Sequence, residues 1–183
     1  VHITPETPSE SIQAALRGPV EEPVHLIIAR TPDYTEIELI IQRMEISLPS
    51  VAWHLDPVDP RLGLIQFNLI AAPTHQELFT AFSDLQSKGA TAFVLDLRNN
   101  SGGLLDAGID ISRLFLSSGV ILEQQYRGQP VETYMTDERG ELSMYPLAVL
   151  VNHSTASAAE IIAGSLQAND RAILIGAPTF GKD

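Results

Sequence analysis

Ser157 and Lys182 are the pair of residues in this sequence whose types and spacing favour covalent chemistry. Ser157 follows a predicted strand that ends at Val151 and begins a helical pattern, so its hydroxyl should be exposed at a helix N-terminus. Unpaired N–H groups and partial positive charge at such a terminus favour an alkoxide and a tetrahedral oxyanion. Lys182 follows 25 positions later. A lysine accepts a proton only as the neutral amine, a form favoured by burial against apolar side chains such as Phe180.

Each of these residues also has a simpler structural explanation, which is the better interpretation when the residue is taken alone. Ser157 and Glu160 fit a capping box, in which a serine is followed three residues later by glutamate. Taken alone, Lys182 is more typical of a solvated surface. His153 allows a Ser-His arrangement, although a base held four residues before its nucleophile on the same loop would be unusual.

Other polar and glycine residues near these loops suggest weaker hypotheses. Gly102 and Gly103 follow a predicted strand, and glycines let a backbone approach a ligand closely and present its N–H groups, although a plain turn explains them equally well. Asp96 and Arg98 lie two apart on one strand, hence on one face, and structural pairing is the better interpretation. No histidine has a metal-binding spacing, so we expect neither a metal site nor a cofactor.

The elements that must position these residues are short apolar strands alternating with helices. We predict strands at 62–67, 92–97, 147–151 and 172–175, helices at 74–87, 104–116 and 157–167, and a surface hairpin at 120–126 and 131–134. Such alternation predicts an α/β fold with a mostly parallel sheet flanked by helices on both sides. Ligands gather at the carboxyl ends of such strands, where the loops of Gly102-Gly103, Ser157 and Lys182 should lie.

The chain divides into three predicted regions. Residues 1–42 read as an α+β segment of one helix and two strands, residues 43–61 as a proline-containing connector, and residues 62–183 as the α/β core. The sequence starts without methionine and stops one residue after Lys182, so we interpret it as a fragment of a longer protein. A lysine so close to a chain end should fray, so we expect these residues alone to cleave slowly or not at all.

The composition argues against several classes of protein. The chain has 183 residues and a formal net charge of -12, which disfavours nucleic-acid binding because phosphate contacts need clustered lysine and arginine. It has no cysteine, which excludes disulfides, a thiol nucleophile and thiolate metal sites. No window holds 18 consecutive apolar residues, so the sequence predicts no transmembrane helix.

Three segments together resemble the C-terminal processing peptidases, which are serine peptidases also called tail-specific proteases. Residues 95–105 are similar to the family's Asp-Leu-Arg-Asn-x-x-Gly-Gly stretch, residues 151–161 to its nucleophile segment, and residues 171–182 to the segment of its catalytic lysine. The order of the segments and the 25-residue interval between serine and lysine match as well. The likeness extends over most of residues 44–183.

The resemblance implies a fold, a site and a class of substrate. The fold would be a crotonase- and ClpP-like core preceded by a PDZ domain, whose second half residues 1–42 resemble. Ser157 would be the nucleophile, Lys182 its base, and the N–H groups of Gly103 and Ala158 the oxyanion hole. The substrates would be proteins with unfolded C-terminal tails, met outside the cytoplasm, and no cofactor would take part.

The sequence departs from the family pattern at several positions, and two alternatives remain open. The departures are Glu21-Glu22 for Gly-Thr, Ser101 for proline or glycine, Ala159 for serine, and Asp183 for glycine. One alternative is a non-catalytic relative of the same fold that carries a hydrophobic ligand. The other is a crotonase-like acyl-CoA enzyme with a similar Gly-Gly loop. Neither would need the pair Ser157 and Lys182.

Overall fold

The polypeptide forms two structural units, Val1–Leu48 and Pro49–Asp183. The computed structural model describes residues 3–30, 32–45, 48–136 and 138–182. The boundary between the units falls inside the predicted connector at 43–61. None of the helices formed by the described residues is both long and apolar enough to cross a bilayer.

The first unit consists of one helix and a β-hairpin. Helix α1 spans Ser9–Leu16, strand β1 spans Pro23–Arg30, and strand β2 spans Thr35–Gln42. The two strands are antiparallel over their whole length. The predicted order of helix, strand and strand is confirmed.

A five-stranded, mostly parallel sheet forms the centre of the second unit, with strand order β3-β4-β5-β8-β9. Strands β4, β5, β8 and β9 are parallel, and β3 is antiparallel to β4. The predicted alternation of strands and helices is confirmed. The elements are β3 (Val51–Leu55), β4 (Leu62–Phe67), α2 (Thr74–Ser87), β5 (Ala92–Asp96), α3 (Leu105–Phe115), the hairpin strands β6 (Gly119–Gln124) and β7 (Glu132–Thr136), β8 (Leu147–Val151), α4 (Ala158–Ala168) and β9 (Ile173–Gly176).

Strand β3 lies where the sequence predicted only a connector, and that part of the prediction is wrong. Val51 is fully buried, and Trp53 and Leu55, on the same face, are half-buried. The alternation covers only five residues between prolines, which is too short to stand out from a loop in the sequence. Pairing with β4 along the whole strand is what stabilises it.

Helices cover one face of the sheet. Ile65, Leu95 and Val149, on adjacent strands, are fully buried in one core with side chains of α2, α3 and α4. The opposite face is half-buried in the described residues, so the prediction of helices on both faces holds for one face only. Strand β9 forms an edge of the sheet, where Ile173 and Ile175 are 66% and 48% exposed.

The parallel strands bring four loops to the same edge of the second unit. The carboxyl ends of β4, β5, β8 and β9 point the same way, so the loops that follow them are neighbours. These loops contain Ile70, the Gly102-Gly103 pair, Ser157 and Lys182. The predicted convergence of the glycine, serine and lysine loops is confirmed.

Candidate active site

Ser157 has a strained backbone conformation immediately before α4. Its φ is 56° and its ψ is -124°, and the Ala159 N–H donates to the Ala156 carbonyl oxygen at 3.2 Å. These values describe a type II′ turn with Ser157 at its second position, where glycine is usual. An ordinary N-cap residue has β-region angles, so capping alone does not explain this geometry. Such strain costs about 1–3 kcal/mol and persists only where the surroundings enforce it.

The carboxylate of Glu160 connects Ser157 to the segment that carries Lys182. Its Oε2 accepts hydrogen bonds from the Ser157 N–H at 2.9 Å and the Lys182 N–H at 3.1 Å. Its Oε1 accepts one from the Gly181 N–H at 2.6 Å. Burial disfavours the charged carboxylate, but hydrogen bonds from Thr179 and from these three backbone groups outweigh it and lower the pKa of Glu160. The glutamate of the capping box therefore holds the serine loop and the Lys182 segment together.

Backbone hydrogen bonds hold the Lys182 segment along its length, and the expectation of a frayed chain end did not include these contacts. The Ala177 N–H donates to the Val151 carbonyl oxygen at 3.2 Å, and the Phe180 N–H donates to the Thr155 carbonyl oxygen at 2.9 Å. The backbone of this segment contacts the serine loop, whereas the side chains of Phe180 and Lys182 face the solvent. Phe180 is 67% exposed and Lys182 is exposed, so the expected burial of the lysine is wrong for the described residues.

Asn100 joins the glycine loop to the loop before Ser157. Its side chain is buried, its Nδ2 donates to the Phe67 carbonyl oxygen at 2.9 Å, and its Oδ1 accepts from the Gly102 N–H at 2.8 Å. Its backbone oxygen accepts from the Ala156 N–H at 3.0 Å. Every polar group of this side chain is thus committed to fixing loop geometry.

Asn152 and Thr155 add a second set of links between the same loops. The Asn152 Oδ1 accepts from the Asn99 N–H at 3.0 Å, and its Nδ2 donates to the Asn99 Oδ1 at 2.9 Å. The buried Thr155 hydroxyl donates to the Leu97 carbonyl oxygen at 2.9 Å and accepts from the Asn152 N–H at 3.0 Å. Sequence reasoning missed Asn100, Asn152 and Thr155, although polar residues directly after apolar strands were a usable signal.

The backbone N–H group of Gly103 points away from Ile70, the residue with which Gly103 forms a parallel bridge. The residues on either side of Gly103 bond to Ile70. The Ile70 N–H donates to the Gly102 carbonyl oxygen at 3.2 Å, and the Leu104 N–H donates to the Ile70 carbonyl oxygen at 2.9 Å. In a parallel bridge of this kind, the N–H of the central residue points the other way. The Gly103 N–H therefore faces away from the β4 loop.

Gly102 allows the glycine loop to approach Ser157 closely. A Cβ atom added at Gly102, whose φ is 98°, would lie 2.8 Å from the Ser157 Cβ and 3.0 Å from the Ala158 nitrogen. Within the described part of the chain, neither the Gly103 N–H nor the Ala158 N–H donates a hydrogen bond to the protein. Two free donors therefore lie in the two loops that meet at Ser157, as an oxyanion hole requires.

Ser157, Glu160 and Lys182 line a single cavity of about 720 Å³ beside α4 and β6. Apolar side chains, among them Leu105 and Ile161, form part of its wall. The structure thus brings the predicted nucleophile and base to one space, without a hydrogen bond between the Ser157 Oγ and the Lys182 Nζ.

The remaining candidates of the sequence lie elsewhere. Arg98 forms a two-pronged ion pair with Asp96, at 2.8 and 2.6 Å, so the predicted structural pairing is confirmed. Burial alone would raise the pKa of Asp96, but the hydrogen bonds and charge of Arg98 outweigh it and lower that pKa. His153 is exposed and is not part of the cavity wall that contains Ser157.

Comparison with known protein families identifies related sequences. The profile of peptidase family S41 matches residues 61–183. The carboxyl-terminal-processing protease of Synechocystis sp. is 42% identical over 171 residues, which are 92% of this chain and 40% of that protein. Carboxyl-terminal-processing peptidase 1, chloroplastic, of Arabidopsis thaliana is 34% identical over 178 residues, 95% of this chain and 36% of that protein. The chain therefore spans about two fifths of the length of these relatives or less.

Solved structures with the same fold support the assignment of the fold class. The photosystem II D1 C-terminal processing protease superposes with a TM-score of 0.65 at 30% identity, over 90% of this chain and 46% of that one. A putative S41 protease from Bacteroides fragilis superposes with a TM-score of 0.62 at 23% identity, over 87% of this chain and 47% of that one. The predicted α/β fold of the peptidase core is confirmed.

Proposed function

Because this chain belongs to peptidase family S41, we propose that it contributes the catalytic core of a serine peptidase that processes proteins near their C-termini. The conformation of Ser157 carries the proposal. A non-glycine residue in a type II′ position, at a helix N-terminus and on a cavity wall, is costly for a cap and suited to a nucleophile. The free N–H groups beside it and the lysine on the same cavity supply the other parts of the chemistry.

In the proposed reaction, the Ser157 Oγ attacks the carbonyl carbon of the scissile peptide while its proton passes to the neutral amine of Lys182. The tetrahedral oxyanion accepts hydrogen bonds from the N–H groups of Gly103 and Ala158. When the C–N bond breaks, Lys182 returns the proton to the leaving amine, and an ester on Ser157 remains. A water molecule, deprotonated by Lys182, then attacks the ester carbonyl. The bond between the acyl carbon and the Ser157 Oγ breaks, Lys182 returns the proton to this oxygen, and the new carboxyl terminus is released.

Two contacts support Lys182 as the base although its amine does not bond to Ser157 in the structure. Glu160 fixes the backbones of both residues through one carboxylate, and both side chains line the same cavity. Catalytic hydrogen bonds are often long or unformed before substrate binds, so rotation of the lysine side chain can complete the pair.

The proposed substrates are proteins with flexible, apolar C-terminal tails, and the first unit is the proposed tail-binding part. Within that unit, the last residue of α1, the segment after it and the hairpin strands line a cavity of about 730 Å³ with several apolar side chains. Leu16, Val24, Leu26 and Ile41 are among them. PDZ domains bind an extended peptide by adding it as a strand to an exposed sheet edge, and the β1-β2 hairpin offers such edges. Fluorescence anisotropy with an apolar-tailed peptide, compared between the wild type and Leu26→Glu, tests this role.

The proposed location of the protein is outside the cytoplasm. Two observations support it: relatives include proteins whose names place them in chloroplasts, and the chain has no cysteine. Fractionation of cells that produce the full-length protein, followed by detection of the protein in each fraction, tests the proposal.

Labelling with a fluorophosphonate probe tests the proposed chemistry. The probe should modify Ser157 in the wild type, and Ser157→Ala and Lys182→Ala should each lower peptide cleavage by several orders of magnitude, because the residues act as one unit. His153→Ala is the control and should keep near-normal activity.

Two results would contradict the assignment. Near-normal turnover in Lys182→Ala would exclude the lysine as base. Absence of labelling in a folded wild type would favour a non-catalytic relative of the same fold.

A further inference from the structure

The cavity beside Ser157 extends along one face of α4. Ile161 and Gly164 lie four and seven residues after Ser157, a spacing that places the three on one side of a helix. All three line the cavity of about 720 Å³, together with Leu105 from α3 and Leu122 from β6. A substrate acyl group attached to Ser157 would therefore have this space next to it.

Gly164 is unusual because it lies inside α4, where glycine is unfavourable. Glycine in a helix interior is less stable than alanine because its backbone loses more freedom on folding. A Cβ added at Gly164 would have nothing within 4 Å, so no neighbouring atom requires the glycine. Gly108 of α3 shows the contrast: there an added Cβ would lie 3.2 Å from the Cβ of Ala158, so close packing between the two helices explains that glycine.

The wall around Gly164 favours an apolar group. Leu105, Leu122 and Ile161 contribute hydrocarbon surface to it. Two carboxylates, those of Glu160 and Glu123, line the same cavity. The oxygens of Glu160 already accept backbone hydrogen bonds, and Glu123 is exposed to water, so neither is a buried, unpaired carboxylate that would select a cationic side chain. Space and wall chemistry together suit a large apolar side chain.

We propose that Gly164 is a specificity-determining residue: the absence of a side chain there keeps the cavity open for a large apolar side chain on the residue whose carbonyl Ser157 attacks. This inference rests on the proposed peptidase function. Gly164 then leaves this volume free at the expense of helix stability.

Gly164→Ala and Gly164→Leu, with Gln167→Leu as control, test the proposal. The control places the same leucine on the same helix at a position that is exposed, as Gly164 is, but that lies outside this cavity. The substrates are matched peptides with alanine or phenylalanine before the scissile bond. In Gly164→Leu, kcat/KM should fall about 10- to 200-fold for phenylalanine relative to alanine, the range that pocket size supplies. Gly164→Ala should show a smaller shift in the same direction and a Tm raised by about 2–4 °C.

The outcomes separate this inference from the function on which it rests. Equal losses for both peptides in Gly164→Leu, or the same selectivity change in Gln167→Leu, would overturn the role of Gly164 while leaving the peptidase intact. Failure of the wild type to cleave either peptide or to react with a fluorophosphonate at Ser157 would overturn the peptidase function, and the inference with it. If Gly164→Leu does not fold, unchanged selectivity in Gly164→Ala overturns the inference.

Discussion

At the scale of single residues, the backbone strain at Ser157 should be measurable apart from catalysis. Ser157→Gly and Ser157→Ala both remove the hydroxyl, but only glycine adopts a φ of 56° and a ψ of -124° without steric cost. Glycine removes a backbone strain of about 1–3 kcal/mol from the folded protein. This gain is partly offset by about 0.4–1 kcal/mol, because the unfolded chain of the glycine variant has more conformational entropy. We therefore expect Ser157→Gly to be more stable than Ser157→Ala by about 1 kcal/mol.

Urea unfolding of the two variants, followed by circular dichroism, checks this expectation. Both proteins should be inactive, which removes substrate effects from the comparison. A glycine variant no more stable than the alanine variant would show that the turn is not strained in solution.

The sequence predicted Ser157 as nucleophile and Glu160 as part of a cap, as if the two explanations competed. In the structure the same glutamate accepts the Ser157 N–H while the turn places the serine on the cavity wall. The spacing of the residues predicts the cap but not the torsion angles of Ser157. Those depend on hydrogen bonds between the serine loop and its neighbours: the Ala156 N–H donates to the Asn100 carbonyl oxygen, and the Phe180 N–H donates to the Thr155 carbonyl oxygen. Those contacts join residues far apart in the chain and are not encoded in any local pattern.

At the scale of elements, Glu160 should act as a positioning residue for α4 and the lysine segment. In Glu160→Gln, one oxygen can still accept, but the NH2 group cannot accept the backbone N–H groups that the second oxygen held. Hydrogen bonds to charged groups contribute about 1.5–3 kcal/mol, so kcat should fall about 10- to 100-fold with little change in KM. The rate of fluorophosphonate labelling at Ser157 should fall in parallel.

Glu123→Gln is the matched control, since Glu123 is another carboxylate residue of the same cavity wall. It should keep the kcat of the wild type. A Glu160→Gln variant with normal kcat and a lowered Tm would mean that the glutamate stabilises the fold without aligning the catalytic pair.

The pH dependence of stability gives a further expectation for Glu160. Its pKa in the folded protein is lowered, so its contribution to stability is present above the pKa of the unfolded chain and is lost as pH falls through the folded value. The stability advantage of the wild type over Glu160→Gln should therefore be full at neutral pH and shrink on acidification below about pH 4.5. Urea midpoints measured from pH 7 to pH 3 check this, and an advantage independent of pH would contradict it.

The elements themselves were largely predictable because their apolar patterns are long or strongly buried. Strand β5, with buried Phe93 and Leu95, and strand β8, with buried Val149, were recognised within a residue of their observed bounds. Strand β3 was missed because its five residues are stabilised as a strand by pairing with β4 and not by a pattern of their own. The anchoring of Lys182 was missed because the acceptor Glu160 lies 22 residues earlier in the chain.

At the scale of the whole molecule, the second unit should fold without the first. Its core is built from buried apolar residues between Val51 and Leu166, including Phe67, Phe82, Phe93 and Phe115. Each fully buried large side chain contributes roughly 1.5–3 kcal/mol, so this core suffices for a domain of its size. Residues 49–183 should unfold in one cooperative transition, with a Tm within a few degrees of that of residues 1–183.

Thermal circular dichroism of residues 49–183 beside residues 1–183 checks this expectation. Broad, non-cooperative unfolding of the shorter protein would show that the first unit is needed for a packed core. Fluorophosphonate labelling of both proteins would show in addition whether the serine loop needs the first unit.

The family was predictable from the sequence, and the match to peptidase family S41 confirms it. The mostly parallel sheet followed from the same alternation of strands and helices. The half-exposed second face of the sheet was not predictable, because apolar strand sequences look alike whether one or both faces are covered.

The exposed edge strand β9 has a consequence for the behaviour of the protein in concentrated solution. Within the residues that the structure describes, the outer edge of β9 has no strand partner, and such an edge with exposed Ile173 and Ile175 can pair with the same edge of another copy of residues 1–183 and start aggregation. At low ionic strength a net charge of -12 keeps the molecules apart, but at 1 M salt the screening length falls to about 3 Å. High salt should therefore make concentrated solutions turbid, and Ile175→Lys should keep them clear.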